Sequence, residues 1–126
     1  MQQNQIQGVG TDIIEVGRIK DAIARHKGRF LDRIFTQKEQ EYCSKFSNAT
    51  IHYAGRFAAK EAVVKALGTG LTFEMTWCDL EIINNTSGQP EVFVSQRVRQ
   101  TFPTAHFFLS ISHCNDYATA TAIVTK

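Results

Sequence analysis

The sequence predicts an α+β fold in which an antiparallel sheet packs against long helices. Three observations carry that expectation. Residues 16–67 repeat their apolar positions with helical spacing or are rich in helix formers, and residues from Cys78 onward alternate with a period of two. The length of 126 residues suits one domain spanning 1–126 rather than separate cofactor and substrate modules. With 43% hydrophobic and 21% charged residues, the chain can bury roughly two thirds of its unfolded surface, which excludes a disordered chain.

Ile6 to Val16 mixes β-branched residues with Gly8 and Gly10, the pattern of an opening strand whose backbone closely approaches a neighbour before Asp12. Val16, Ile19, Ile23, Phe30, Leu31 and Ile34 then follow helical spacing, with Arg18, Lys20, Arg25, Lys27 and Arg29 between them. That predicts a basic amphipathic helix interrupted near Gly28. Thr36 precedes Glu39 by three residues, the capping-box spacing, and starts a helix over 37–46. A loop over 47–50 leads to the segment from Tyr53 to Leu67, rich in Ala, Lys and Glu, with Gly68 and Gly70 as its stop.

Beyond it, Cys78, Leu80 and Ile82 share one face of a predicted strand, with Asp79 and Glu81 on the other. Asn84 to Pro90 is turn chemistry, Glu91 to Val94 the returning strand, and Ser95 to Phe102 a short helix stopped before Pro103. His106 to Ser112 and Tyr117 to Val124 alternate and are separated by a short polar turn, so they close the chain as an antiparallel hairpin.

A net charge of +2 gives no compositional sign of a nucleic-acid binder. Its distribution is uneven: residues 1–65 hold eleven basic and seven acidic residues, residues 66–126 three and five, or +4 and −2. Cys43, Cys78 and Cys114 stand 35 and 36 positions apart, which fits neither a disulfide framework nor a close-spaced metal or redox motif and points to a reducing compartment. The chain has no apolar run near the ~20 residues of a membrane span and no basic start with an apolar core at its N-terminus. The expectation is a cytoplasmic protein with neither a membrane nor a nucleic acid as partner.

Asp12 ends a largely apolar segment and Glu61 sits on the Ala-rich helix, so the two carboxylates converge if that helix crosses the strand. Two hard oxygen ligands suit Mg²⁺, which fills its octahedron with water and substrate phosphate. The alternative stays open at this level: Asp12 caps the following helix, and Glu61 pairs with Lys65 at i,i+4 for about 0.2 to 0.5 kcal/mol. Arg56, Lys60 and Lys65 on the same helix read either as phosphate ligands or as snorkelling surface cations. Gly68-Thr-Gly70 lacks Walker spacing; its glycines suit either an approaching anion or a helix cap. Ser110-Ile-Ser-His113 offers strand-end hydrogen bonds to a ligand but no nucleophile elbow. Residues 18–29, five basic against Asp21, have the pattern of a docking surface for an acidic protein or a phosphate backbone.

Three ordered motifs bring these residues together: Gly8-Val-Gly-Thr-Asp12-Ile-Ile-Glu15, the run from Arg56-Phe-Ala-Ala-Lys-Glu61 through Lys65 to Gly70, and Leu109-Ser-Ile-Ser-His-Cys-Asn-Asp-Tyr-Ala118. Across nearly its whole length the chain resembles the bacterial holo-acyl-carrier-protein synthases, small members of the 4′-phosphopantetheinyl transferases. The resemblance implies a 4′-phosphopantetheinyl transferase-like fold. It also implies transfer of the phosphopantetheine arm of coenzyme A to a serine of apo-acyl carrier protein, in support of fatty acid biosynthesis.

By the same likeness, Asp12 and Glu61 are Mg²⁺ ligands at the coenzyme A pyrophosphate, Lys65 contacts those phosphates, and Arg56 and Lys60 line the coenzyme A groove. Asp12, Glu61 and Lys65 are then the catalytic set, with Glu61 or a water near Asp12 as the base. Gly68 and Gly70 approach the cofactor, Pro90 in Gly88-Gln-Pro90 lies near the nucleotide end, and Ser112 and His113 serve its 3′-phosphate or adenine. Arg18, Arg25 and Arg29 dock the acidic carrier protein, and the resemblance implies a homotrimer with active sites between subunits. A non-catalytic adaptor for coenzyme A or carrier protein is the rival reading.

Overall fold

Two glycines decide how the first strand meets the longest helix. In the computed structural model, which describes residues 5–68 and 75–126, β1 (Ile6–Glu15) lies against α4 (Ala49–Leu67), and a Cβ added at Gly8 or Gly10 would overlap the carbonyl oxygens of Ala66 or Ala62. Glycine is required here because the two backbones touch, as the Gly-x-Gly spacing predicts.

After β1 the basic helix is split into α1 (Val16–His26) and α2 (Gly28–Ile34). The break falls on Lys27, whose φ of 47° is the one positive value at a described non-glycine residue. α3 (Gln37–Ser44) begins with the predicted capping box: the Thr36 hydroxyl accepts from the Glu39 amide, and the Glu39 carboxylate accepts from the Thr36 amide. α4 starts four residues before the predicted Tyr53, at Ala49. Its C-cap is Gly68 at φ 80°, the left-handed conformation that favours glycine.

A 3₁₀ turn over Trp77–Asp79 takes the place of the first two residues of the expected strand, because Asp79 turns back to accept from the Thr76 amide. β2 (Leu80–Asn84) then pairs with β3 (Pro90–Val94), with Leu80 and Ile82 buried as the alternation requires. α5 (Gln96–Thr101) is capped by Ser95, and β4 (His106–His113) with β5 (Tyr117–Thr125) form the closing hairpin.

The larger sheet has the order β1-β5-β4, antiparallel throughout; β2-β3 is a separate two-stranded ribbon. Ala118, Ala120 and Ala122 of β5 face inward and join Ala58, Ala62 and Ala66 of α4 in the buried cores, small side chains that let helix and sheet approach closely. The opposite face of the same sheet shows Val9, Ile13, Phe108 and Tyr117 exposed. Strand register places Val9, Ile123 and Phe108 in one row across that face and Ile13, Thr119 and Ser112 in another.

Candidate active site

α4 carries chemistry on two flanks. On the β1 side, Gly8, Gly10 and Asp12 alternate onto the strand face turned toward the helix. Lys65 Nζ reaches back to donate to Asp12 Oδ1 at 3.0 Å and to the Thr11 carbonyl at 2.9 Å. Lys65 therefore pairs across to the strand and not with Glu61 along the helix, and Asp12 does not cap α1, whose N-cap is Glu15.

Glu61 stands close to both. Burial first, then the Asp12 charge, push its carboxyl above the ordinary carboxylate value, while Lys65 opposes them. Glu61 accepts no hydrogen bond from any described residue. Two partly buried carboxylates that repel one another, one of them lacking a donor, are a donor set suited to a hard divalent cation. Among the described residues no third carboxylate, His or Cys joins them, so water and ligand oxygens would complete such a shell.

On the other flank, Arg56 is 4% exposed and directs Nη2 to Asn84 Oδ1 at 2.6 Å, with its guanidinium 4.1 Å over the Tyr42 ring. Its Nε is buried without a partner. Arg56, which the resemblance places in the coenzyme A groove, and His113 and Pro90, which it places toward the nucleotide end, line one cavity of about 140 Å³ together with Tyr42, His52 and Asn84. The hairpin wall is held by its own turn: Asn85 Oδ1 accepts from the Ser87 and Gln89 amides, and Asn84 donates to the Gly88 carbonyl. His52, Tyr42 and Asn84 escape a reading of the sequence; only the i,i+4 spacing of His52 and Arg56 hints at the first.

The structure corrects one expectation and narrows two. Lys60 does not line a groove: its side chain is fully buried, and its ammonium donates to Glu39 Oε1 at 2.7 Å, the Ile34 carbonyl at 2.7 Å and the Trp77 carbonyl at 3.1 Å. All three hydrogens are taken, so none remains for a phosphate. Gly68 gives its amide to the Val64 and Lys65 carbonyls as the helix cap, so the capping alternative holds there. Ser112 shares the outer sheet face with Ser110 and is separated from His113 by the strand alternation, so the two do not meet in one chain. Gly70 lies outside the described residues.

The basic surface stays exposed. Arg18 and Arg25, two turns apart, share a face of α1, and Arg18 has Glu15 at 3.7 Å. Arg29 lies beyond the Lys27 break and lines a shallow groove with His26, Phe30 and Arg33.

The profile described as the 4′-phosphopantetheinyl transferase superfamily matches residues 8–122. A holo-[acyl-carrier-protein] synthase of Protochlamydia amoebophila is 50% identical over 116 residues, 92% of this chain and 95% of that protein. The crystal structure of the holo-[acyl-carrier-protein] synthase from Neisseria meningitidis superposes with a TM-score of 0.88 at 30% identity, covering 96% of this chain and 99% of that one. A Bacillus anthracis holo-(acyl-carrier-protein) synthase in complex with CoA (3′,5′-ADP) gives 0.83 at 35% identity, covering 98% and 99%.

Proposed function

The chain belongs to the 4′-phosphopantetheinyl transferase superfamily, and we propose that it transfers the 4′-phosphopantetheine of coenzyme A to a serine of apo-acyl carrier protein. The observation that carries this reading is the convergence of Asp12, Glu61 and Lys65 where β1 crosses α4. Asp12 and Glu61 are the residues to hold Mg²⁺, and the ion, when bound, offsets charge that builds on the pyrophosphate as it leaves.

The chain's own residues divide the remaining work. Lys65, half exposed on a flexible stem, can move from Asp12 to a phosphate oxygen. Glu61, with its carboxyl held above the ordinary value, is suited to accept the serine proton. The serine oxygen forms a bond to the phosphorus next to the pantetheine, the bond from that phosphorus to the bridging oxygen breaks, and adenosine 3′,5′-bisphosphate departs. Arg18, Arg25 and Arg29 are the docking surface for the acidic carrier protein, and Arg56, Pro90 and His113 hold the nucleotide end.

The two flanks also support a site shared between copies. Arg56 and Glu61 are five residues apart, about 140° around the helix. Asp12 lies on one edge strand of the sheet and His113 on the other. One coenzyme A molecule reaches both sets most simply if they come from neighbouring subunits. The exposed face bearing Val9, Ile13, Phe108 and Tyr117 offers the apolar surface for such a contact, and a homotrimer is the assembly we assign.

Among the described residues no helix is long and apolar enough to cross a membrane. The free thiols Cys43, Cys78 and Cys114 support placing the reaction in the cytoplasm.

Intact-mass spectrometry of apo-acyl carrier protein incubated with the chain, coenzyme A and Mg²⁺ tests the reading. A mass gain of one phosphopantetheine arm, abolished by EDTA, is the expected result. Carrier-protein binding without any gain would leave the adaptor reading instead.

A further inference from the structure

The nucleotide-side cavity contains a feature that the proposed reaction does not use. His52 lies one turn before Arg56 on α4, its ring stacked on Phe46 at 3.7 Å between centroids and 20° between planes. The same ring meets His113 of β4 edge to face at 5.5 Å and Tyr42 of α3 at 6.1 Å. Arg56 and both imidazoles line the cavity; the hairpin wall adds Asn84, Gly88 and Pro90, and among the described residues no carboxylate faces the space.

One fixed cation and two groups able to become cations thus share a cavity without a counter-ion. Burial first, then His113 and Arg56, hold the His52 imidazole below its ordinary value, which favours the neutral ring. A phosphate monoester changes that balance. Its oxygens offer a partner to the orphaned Arg56 Nε, and its charge favours the imidazolium form of a ring one turn away on the same helix.

We propose that His52, acting beside His113, reads a terminal phosphate monoester in this cavity and takes up a proton as the ligand binds. The inference rests on the coenzyme A reading above and adds a residue and a proton to it. The stack on Phe46 and the edge contact with Tyr42 fix the ring orientation, so little freedom is lost on binding. A pyrophosphate diester without the monoester carries less charge per phosphorus and should draw no proton.

Isothermal titration calorimetry of the full chain with coenzyme A and Mg²⁺, in buffers of different ionisation enthalpy at pH 7.5, counts the protons taken up. His52→Phe keeps an aromatic ring in the stack and removes only the titrating nitrogens. For the wild type, uptake of a fraction of a proton is expected, with affinity rising from pH 8.5 to 6.5 by up to about tenfold per unit, the limit for one linked proton. His52→Phe should lose most of that uptake and of the pH dependence, while still binding at pH 8.5. In the wild type, 3′-dephospho-coenzyme A should show neither. Equal uptake by wild type and His52→Phe, or binding without uptake, overturns the role of His52 while leaving the coenzyme A reading intact. Failure of the wild type to bind coenzyme A overturns both.

Discussion

Lys60 and Lys65 sit five residues apart on one helix, and each holds a carboxylate, Glu39 at 2.7 Å and Asp12 at 3.0 Å. Their surroundings separate them. The first pair is fully buried on both sides, whereas the Lys65 side chain is 54% exposed and the Asp12 side chain 12%. Glu39 also accepts from the Thr36 and Ile82 amides, so the buried pair joins α3, α4, the end of α2 and β2. Burial pushes the Lys60 ammonium below its ordinary value, and Glu39 pushes it back up. The same chemistry is a structural joint where water is excluded, and a replaceable contact where water and ligand can enter.

The largest effect is expected from breaking the buried pair. Glu39→Ala leaves Lys60 as an uncompensated buried charge and opens the α3 cap; urea denaturation should show a loss of about 3–5 kcal/mol. A double change of Glu39 and Lys60 to leucine and methionine should recover only part of that loss: it removes the uncompensated charge, but the Ile82 amide and the Ile34 carbonyl lose their partners.

Lys65→Met sharpens the contrast from the other side. Stability should change by less than about 1 kcal/mol, because the Lys65 end of the pair is 54% exposed and water screens it. Transfer should fall by about 10² to 10³ in kcat if Lys65 serves developing phosphate charge, as measured in the mass assay. A stability loss as large as that of Glu39→Ala would show that the two lysines play one role.

Glu61 gives the next effect, through pH. Its folded pKa lies above 4.5, so the folded state binds more protons than the unfolded one between 4.5 and the raised value. The stability it contributes is complete below 4.5 and is lost as pH rises through the folded value. Glu61→Gln should therefore flatten this part of the stability profile, abolish transfer, and remove any rise in Tm that Mg²⁺ gives the wild type. An unchanged Tm increment in the variant would remove Glu61 as a ligand.

The smallest effect concerns the basic surface. Arg18→Glu should raise KM for carrier protein several-fold at low salt and less at high salt, with kcat and stability near wild type. An unaltered KM at low salt would take α1 out of the docking surface.

Much of the fold was legible because local rules suffice for it. The Gly8 and Gly10 spacing marks a close backbone approach, Thr36 with Glu39 marks a capping box, and the alternation after Leu80 marks strands; each signal is complete within a few residues. Lys60 was misread for the opposite reason. In the run Ala-Ala-Lys-Glu-Ala nothing tells an inward lysine from an outward one, since its three acceptors come from residues 17 to 26 positions away. The 3₁₀ turn before β2 was missed although Thr76 and Asp79 have cap spacing, because the apolar alternation of the following residues hid it.

By itself, the sequence determined the order of the strands and main helices, the family likeness and the basic first helix, and it marked Asp12 and Glu61 as candidates. These depend on periodicity, caps and motifs that the chain carries locally. Only the tertiary structure decided which cations face solvent, that Asp12 binds Lys65 instead of capping a helix, and that His52 joins His113 and Arg56 around one cavity. Those outcomes depend on desolvation and on contacts between distant segments, and both are set by how α4 lies across the sheet.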